Sequence, residues 1–397
     1  MRVFDVLIVG AGAAGLTLAH TGAGAALPGA GAPEIALLDP PVGAARPKDR
    51  TWCFWEHGAG RWDAVLAARW DRLSVVAPSG ARQERATGPL SYKMLRSRDF
   101  TEHVRTGLAP NVHPCTATVT AIEDGTDHAT VHASRPDGSE VRLRARWVFD
   151  SRPLPAPPAA RTTLLQHFRG WFVRTGEDAF DPGTAVLMDL RTPQPRAGVS
   201  FGYLLPLSSR DALVEYTEFT REVLDDAGYD AALRRYTGRV LGLEGFTVTA
   251  SEQGVIPMTD GRFRTRVGRR VFRLGAAGGA TRPSTGYTFS GIQRQAAAVV
   301  RALEEGRTPV PPIPHRRRHL AMDAVLLRAL DTGRLDGADF FARLFARNDM
   351  RDVLDFLDGR SAFTRELAMG VTTPIAPMAV TALERALLAM RPPPRAP

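Results

Sequence analysis

An apolar run, Val3 to Val9, passes directly into Gly10-Ala11-Gly12-Ala13-Ala14-Gly15 and then into a helix-forming segment, Leu16 to His20. Few folds accept this order of strand, glycine turn and helix. Gly10 permits a tight turn, Gly12 lets the backbone approach a pyrophosphate with no Cβ in the way, and Gly15 lets helix and strand pack closely. The helix N-terminus then presents free N–H groups and a positive dipole end to phosphate oxygens. A second apolar run, Ile35 to Leu38, ends at Asp39, where a dinucleotide-binding βαβ unit places an acid on the ribose hydroxyls. The Gly/Ala-rich stretch Gly22 to Ala32 lengthens the interval to Asp39 slightly beyond the usual ~20 residues. A glycine-rich structural turn would reproduce the glycines alone, in a chain that has 37 of them, but not the flanking strand, helix and acid. Val6 to Ala19 resembles a signal-peptide core, yet Asp5 precedes it and Arg2 is the only basic residue before it, so no secretory signal is expected.

The 397 residues, 44% hydrophobic and 23% charged, suit two or three folded units with sizeable cores. Of 51 basic residues only Lys48 and Lys93 are lysine, and the net charge of +9 favours an anionic partner: a cofactor phosphate, an acidic membrane surface or nucleic acid. Dispersed arginines without a recognised motif argue against nucleic acid. Cys53 and Cys115 have neither metal-ligand spacing nor a disulfide framework, so no metal site is expected and a reducing cytoplasm fits. The longest uncharged candidate, Leu367 to Leu383, holds Pro374 and Pro377 and falls short of the ~18 apolar residues of a spanning helix. Any membrane contact is therefore expected to be peripheral.

After a loop from Pro40 to Arg50 comes an aromatic segment, Thr51-Trp52-Cys53-Phe54-Trp55-Glu56. Strands are expected at Leu73 to Ala77 and Leu90 to Leu95, and a helix at Arg98 to Leu108. Alternation then predicts a three-stranded meander: Ala117 to Ile122, Ala129 to Ala133 and Val141 to Phe149. The proline-rich Pro153 to Pro158 marks a boundary. Beyond it an antiparallel sheet is expected between Leu164 and Met258. Its strands are Phe168 to Val173, Ala185 to Leu190, Gly198 to Pro206, Ala212 to Phe219 and Phe246 to Ile256, with one helix at Arg221 to Val240. A strand at Arg270 to Leu274, the turn Gly275-Ala276-Ala277-Gly278-Gly279 and a helix at Thr288 to Leu303 resume the first unit. From Arg316 onward the apolar spacing is helical. The division is thus 1–158 and 266–310 for a split nucleotide-binding domain, 159–265 for an inserted sheet domain, and 311–397 for a helical tail.

Several motifs together resemble the lycopene cyclases of the bacterial carotenoid pathway and their plant relatives. They are the Gly10/Gly12/Gly15 fingerprint, Asp49-Arg50-Thr51-Trp52-Cys53-Phe54-Trp55, Leu213-Val214-Glu215-Tyr216-Thr217, Glu252-Gln253-Gly254-Val255-Ile256-Pro257-Met258 and Pro283-Ser284-Thr285-Gly286-Tyr287. The resemblance implies an α/β flavoprotein like the aromatic-ring hydroxylases and geranylgeranyl reductases, with a Rossmann-type FAD domain and an inserted antiparallel-sheet substrate domain. The hydroxylase relatives carry Gly-Asp at the Gly275 turn, whereas here Ala276 follows, which weakens a hydroxylase reading.

What the resemblance further implies is redox-neutral cyclisation of lycopene to β-ionone-ring carotenes, γ-carotene and β-carotene, requiring reduced FAD with NAD(P)H as reductant. Such chemistry needs an acid, a stabilised carbocation and a positioned base. Glu215 is the leading catalytic candidate; its strand alternation places it with Thr217, opposite Val214, Tyr216 and Glu218. Relatives often have an acid after this glutamate, where this chain has Tyr216, so Glu218 or Glu252 is the candidate second carboxylate. A strand carboxylate facing water or arginine is the plain alternative for Glu215. Trp52, Phe54, Trp55, Trp171 and Tyr203 are candidate substrate-lining residues, with core packing as the alternative. Gly10, Gly12, Gly15, Asp39, Arg50, Gly275 and Gly286 are the candidate cofactor contacts. Peripheral attachment to the inner face of the cell membrane follows from a lipid-dissolved substrate, through Pro374 to Leu388 and Arg316-Arg317-Arg318. The competing functions are a flavin monooxygenase or prenyl reductase on the same fold, and a non-catalytic carotenoid carrier. Oligomeric state is not readable.

Overall fold

A computed structural model describes residues 2–41, 43 and 49–389; residues 42 and 44–48 of the expected loop and 390–397 of the expected tail lie outside the described residues. The chain opens as read: β1 (Val3–Val9), α1 (Ala13–Gly22) and β2 (Ile35–Asp39), with β1 and β2 parallel. There follow β3 (Thr51–His57), β4 (Leu66–Trp70), β5 (Arg72–Val76), β6 (Arg82–Ala86), β7 (Leu90–Arg96), α2 (Ser97–Thr106) and β8 (Val112–Thr116). The meander is β9 (Thr118–Glu123), β10 (Ala129–Ser134) and β11 (Glu140–Asp150). One sheet runs in the order β8-β2-β1-β11-β10-β9, parallel through β8-β2-β1-β11 and antiparallel in the meander.

The next unit contains β12 (Thr163–Thr175), β13 (Thr184–Asp189), β14 (Val199–Pro206), β15 (Asp211–Thr220), α3 (Asp226–Arg235) and β16 (Phe246–Thr259). The expected helix over Arg221 to Val240 starts late because Asp225 is its N-cap, its carboxylate accepting from the Gly228 N–H at 2.8 Å. β17 (Val271–Arg273) returns to the first sheet, parallel to β11, and α4 (Phe289–Glu304) covers it beside α1. The tail is α5 (Arg317–Asp331), α6 (Gly337–Arg347), α7 (Met350–Leu357), α8 (Phe363–Gly370) and α9 (Ile375–Ala389).

One boundary is corrected. The second sheet has the order β16-β12-β15-β14-β13-β5-β6, so residues 72–86, assigned from sequence to the nucleotide half, are strands of the inserted sheet. β13 is buried along its whole length and needs a partner on both edges; β5 supplies the second, in parallel. Strand pattern shows that a segment pairs, not with which segment across more than a hundred residues. The third sheet, β3-β7-β4, lies over the face of the second. Trp55, Tyr92 and Met94 from it share a core with Leu213 and Phe172 of the second sheet and with Phe341, Leu344 and Leu354 of the tail. The functional chamber is therefore a sandwich, with the second sheet as floor and β3 and β7 as roof.

Candidate active site

β12 is paired on both sides, by β15 and by β16, and Gly170 is in register with Glu215 on one neighbour and Glu252 on the other. Tyr203 of β14 is in register with Glu215. Period-2 alternation then puts Tyr203, Glu215, Gly170 and Glu252 in one row across one face. At Gly170 a Cβ would stand 3.5 Å from the Glu252 Cγ, 3.6 Å from the Glu215 Cβ and 2.7 Å from the Leu213 Cδ1. Glycine thus leaves a gap between two carboxylates.

The two acids have different surroundings. Glu215 is 8% exposed, and burial, reinforced by the charge of Glu252, pushes its carboxyl up to about 8 against the bond donated by the Thr217 hydroxyl at 2.7 Å. It is therefore mainly protonated at neutral pH. Glu252 at the sheet edge is also raised by burial, but it accepts from the Thr51 hydroxyl at 2.8 Å and has the charges of Arg96 and Arg50 nearby, which favour the carboxylate.

Above the row, Tyr92 hydrogen bonds to Tyr203 and, at 3.0 Å, to Tyr287. Burial holds all three phenols above their ordinary range. The Cys53 thiol, half-buried beside them, is pushed up to about 12, first by desolvation and further by the two glutamates. Trp55 packs edge-on to Tyr287 at 4.7 Å and stacks on Tyr92 at 6.0 Å, and its indole N–H donates to the Leu354 carbonyl at 3.1 Å. The chamber is thus lined by neutral, proton-bearing and aromatic groups around two carboxyls.

Other expected site residues lie elsewhere. Glu218 points to the opposite face of β15, where it accepts from the Tyr216 hydroxyl at 2.7 Å and lies 3.6 Å from His167. Trp171 shares that opposite face and packs on Phe246 at 6.3 Å. Trp52 and Phe54 alternate away from Trp55 on β3 and pack on Phe289 of α4, Phe54 at 4.7 Å, so they are core of the nucleotide half. In each case the two-residue period fixes the face, and a shared motif does not override it. Trp55 and Tyr203 face the chamber. Gly170 and Tyr92 are singled out only by the structure, whereas Thr51, Cys53 and Tyr287 lie in sequence motifs that assign them no role. Lys93 supports the roof: its fully buried ammonium donates to Glu56 at 3.0 Å, Asp63 at 2.5 Å and the Gly58 carbonyl at 3.0 Å. Lys93 is one of only two lysines in so arginine-rich a chain, a usable signal in the sequence.

The nucleotide turn has the shape read from its glycines. Gly10 has φ of 94°, and at Gly15 a Cβ would lie 1.8 Å from the Gly10 carbonyl oxygen. At Gly12 a Cβ would meet nothing within 4 Å, so the backbone faces open space at the start of α1, whose N-cap has no side-chain bond. Free N–H groups of the first helical turn therefore face that space. Asp39 closes β2 beside the turn, accepting from the Ala11 N–H at 3.2 Å and from Arg105 at 2.6 Å. Gly275 has φ of 68° and fits tightly against Ala14, and its N–H donates to Gln295 at 2.9 Å. Gly286, with φ of 72°, lies over Gln166, whose Oε1 is buried without a hydrogen-bond partner among the described residues. Arg50 is exposed, its N–H donating to the Ser97 hydroxyl at 2.8 Å. Open backbone at Gly12, free helix N–H groups and an orphaned acceptor under Gly286 fit a dinucleotide cofactor.

A known family matches almost the whole chain: the model described as "Lycopene cyclase protein" aligns with residues 5–383. No curated protein sequence gives a significant match. Solved structures share the fold at low identity. p-Nitrophenol 4-monooxygenase from Pseudomonas putida is 17% identical with a TM-score of 0.62, over 91% of this chain and 100% of that one. A geranylgeranyl bacteriochlorophyll reductase-like protein from Thermoplasma acidophilum is 14% identical with a TM-score of 0.61, over 97% and 99%. HpxO from Klebsiella pneumoniae, solved with FAD and uric acid, is 15% identical with a TM-score of 0.56, over 94% and 98%. The fold is that of these flavoproteins, mixed α/β with a helical C-terminal region, and the chain belongs to the lycopene cyclase family.

Proposed function

We propose that the protein is an FAD-dependent lycopene β-cyclase, converting lycopene to γ-carotene and β-carotene with no net redox change. The observation that carries this reading is the row Glu215–Gly170–Glu252: two carboxyl groups raised by burial on either side of a gap, the second with Thr51 and the charges of Arg96 and Arg50 beside it, under an aromatic roof.

Glu215 gives its proton to the terminal C=C, leaving a tertiary carbocation. The neighbouring double bond closes the ring on that centre, and a different proton leaves carbon for the Glu252 carboxylate. Glu252, less enclosed than Glu215, exchanges that proton with water at the sheet edge, and Glu215 is reprotonated for the next turn. Trp55 and the three tyrosines offer π-faces to the cation, each contact contributing ~0.5–2 kcal/mol. Cys53 stays a thiol, which keeps a strong nucleophile from trapping the cation. Gly10, Gly12 and Gly15 with the α1 N-terminus, Asp39, Gly275 and Gly286 would hold FAD, which, kept reduced by NAD(P)H, would supply negative charge to stabilise a cation.

Access to a lipid-dissolved substrate is assigned to α8, α9 and the turn between them, where the two helices meet at a bend of 119° and Phe363, Leu367, Val371, Ile375, Val380, Leu383 and Leu387 are exposed. No single helix among the described residues is long and apolar enough to cross a membrane. This face lies on the inner surface of the cell membrane in our reading, with Arg316 and Arg317 exposed to headgroups. Arg318 does not take part, because it is held by Glu366 at 2.8 and 2.9 Å.

The test is anaerobic incubation with FAD, NADPH and lycopene in anionic liposomes, with products separated and weighed. An unchanged mass with altered retention is expected. Gain or loss of hydrogen, or gain of oxygen, refutes cyclisation in favour of a reductase, desaturase or monooxygenase, and a protein that binds lycopene without turnover is a carrier.

A further inference from the structure

Three successive rows cross the chamber face of the second sheet. Glu215, Gly170 and Glu252 form the first, Thr217, Phe168 and Gly254 the second, and Phe219, Gln166 and Ile256 the third, where Gln166 lies under the Gly286 turn. Strand rise separates each row from the next by about 7 Å. Phe168 therefore stands midway between the two carboxyls and the turn assigned to the flavin. Of its two neighbours in the row, Thr217 is fully buried and directs its hydroxyl to Glu215. The other is Gly254, where a Cβ would lie 2.6 Å from the Phe168 Cζ and 2.9 Å from its Cε1. The absent side chain is the seat of the ring.

An inward-facing phenylalanine on a strand paired along both edges is ordinarily packed. Phe172, on the same face of β12, is 5% exposed and belongs to the core shared with roof and tail, as do Trp55, Tyr92 and Phe219. Phe168 is only half-buried, belongs to none of the apolar clusters and meets no other aromatic ring among the described residues. Ile256 and Gln166 in the next row are half-buried as well. An uncovered patch with one aromatic face thus runs from the carboxyls toward the Gly286 turn.

We propose that Phe168, seated on Gly254, is the platform for the reacting end of the polyene, its ring lying against the carbons that close and facing the tertiary cation. The inference rests on the cyclase reading above. A carbocation has no N–H or O–H to donate, so a carboxyl or amide oxygen that came close enough to hold it would bond to it and end the reaction. A phenyl face attracts the charge and carries no lone pair to trap it. In the ground state the substrate is a neutral hydrocarbon, for which the same ring is only an apolar surface. The attraction thus appears as charge develops, which lowers the barrier without tightening the substrate complex.

The test compares variants of the full chain at matched flavin content, with lycopene in anionic liposomes. Phe168→Leu keeps an apolar contact and loses the π-face, so kcat is expected to fall about tenfold with KM little changed. 3,5-Difluorophenylalanine at position 168 keeps the shape of the ring but weakens its negative face, and kcat should fall severalfold. Phe168→Ala should keep the parent's urea midpoint, because the ring lies outside the core, whereas Phe172→Ala, the packed comparator, should lower it. Gly254→Ala puts a methyl in the seat of the ring; it should lower kcat and add little to Phe168→Leu. Unchanged kcat in Phe168→Leu or with the fluorinated ring overturns the platform. A urea midpoint lowered as far by Phe168→Ala as by Phe172→Ala assigns the ring to the core and also overturns it, and additive losses from Gly254→Ala and Phe168→Leu overturn the seat. If the parent protein cyclises nothing, the cyclase reading fails, and the platform is judged on lycopene binding, read from the shift of carotene absorption: weaker binding by Phe168→Ala supports it, and equal binding, or none by either protein, overturns it.

Discussion

Glu215→Gln keeps the shape of the side chain and an acceptor for Thr217 but removes the ionisable proton. An unfolded glutamate titrates near 4.5 and the native Glu215 near 8, so between these values the folded protein binds the extra proton. Stability of the parent is therefore complete below about pH 4.5, falls as pH rises through the window, and has lost its full increment above about pH 8. At 1.36 kcal/mol per unit the increment is about 5 kcal/mol. Glutamine cannot ionise, so the variant escapes this loss and should exceed the parent in stability by an amount growing from near zero at pH 4.5 to a few kcal/mol at pH 9. Urea unfolding of both proteins at pH 5, 7 and 9 reads the difference, and cyclisation by the same variant should fall about 10²–10⁴-fold if Glu215 is the general acid. Parallel stability curves across that range, or retained turnover, would refute the reasoning.

Gly170→Ala places a methyl between the carboxylates and against the end of the Leu213 side chain; we expect a stability loss of about 1 kcal/mol in urea and a larger proportional loss of turnover. Glu218→Gln, on the opposite face, should leave turnover unchanged while weakening the bond it accepts from the Tyr216 hydroxyl, a cost of about 1 kcal/mol by the same assay. Thr51→Val removes the donor to Glu252, so the Glu252 carboxyl should rise further and the acid limb of the rate profile, where the base loses its proton, should move to higher pH. Gly15→Ala drives a methyl into the Gly10 carbonyl and should purify without flavin, read by absorbance after gel filtration.

Local chemistry was legible in the residues. The glycine turn needed only the steric reach of a Cβ, and structure places Gly10, Gly12 and Gly15 in the geometry that their spacing implies. Alternation along β15 separated Glu215 and Thr217 from Tyr216 and Glu218, and the structure keeps them on opposite faces. The same rule applied to β3 would have divided Trp55 from Trp52 and Phe54, which the aromatic motif had grouped together.

The sequence by itself determined which side chains share a face of each strand and where the turns fall. It did so because these properties follow from φ/ψ sterics and from the period of a strand, both set by residues close in the chain. Only the tertiary structure decided that Gly170 separates Glu215 from Glu252, that β5 completes the second sheet beside β13, and that β3 and β7 roof the chamber with Cys53, Tyr92 and Arg96. Those relations join segments tens to hundreds of residues apart, and pairing between them is chosen by burial of whole faces, for which the alternation of any one strand carries no address.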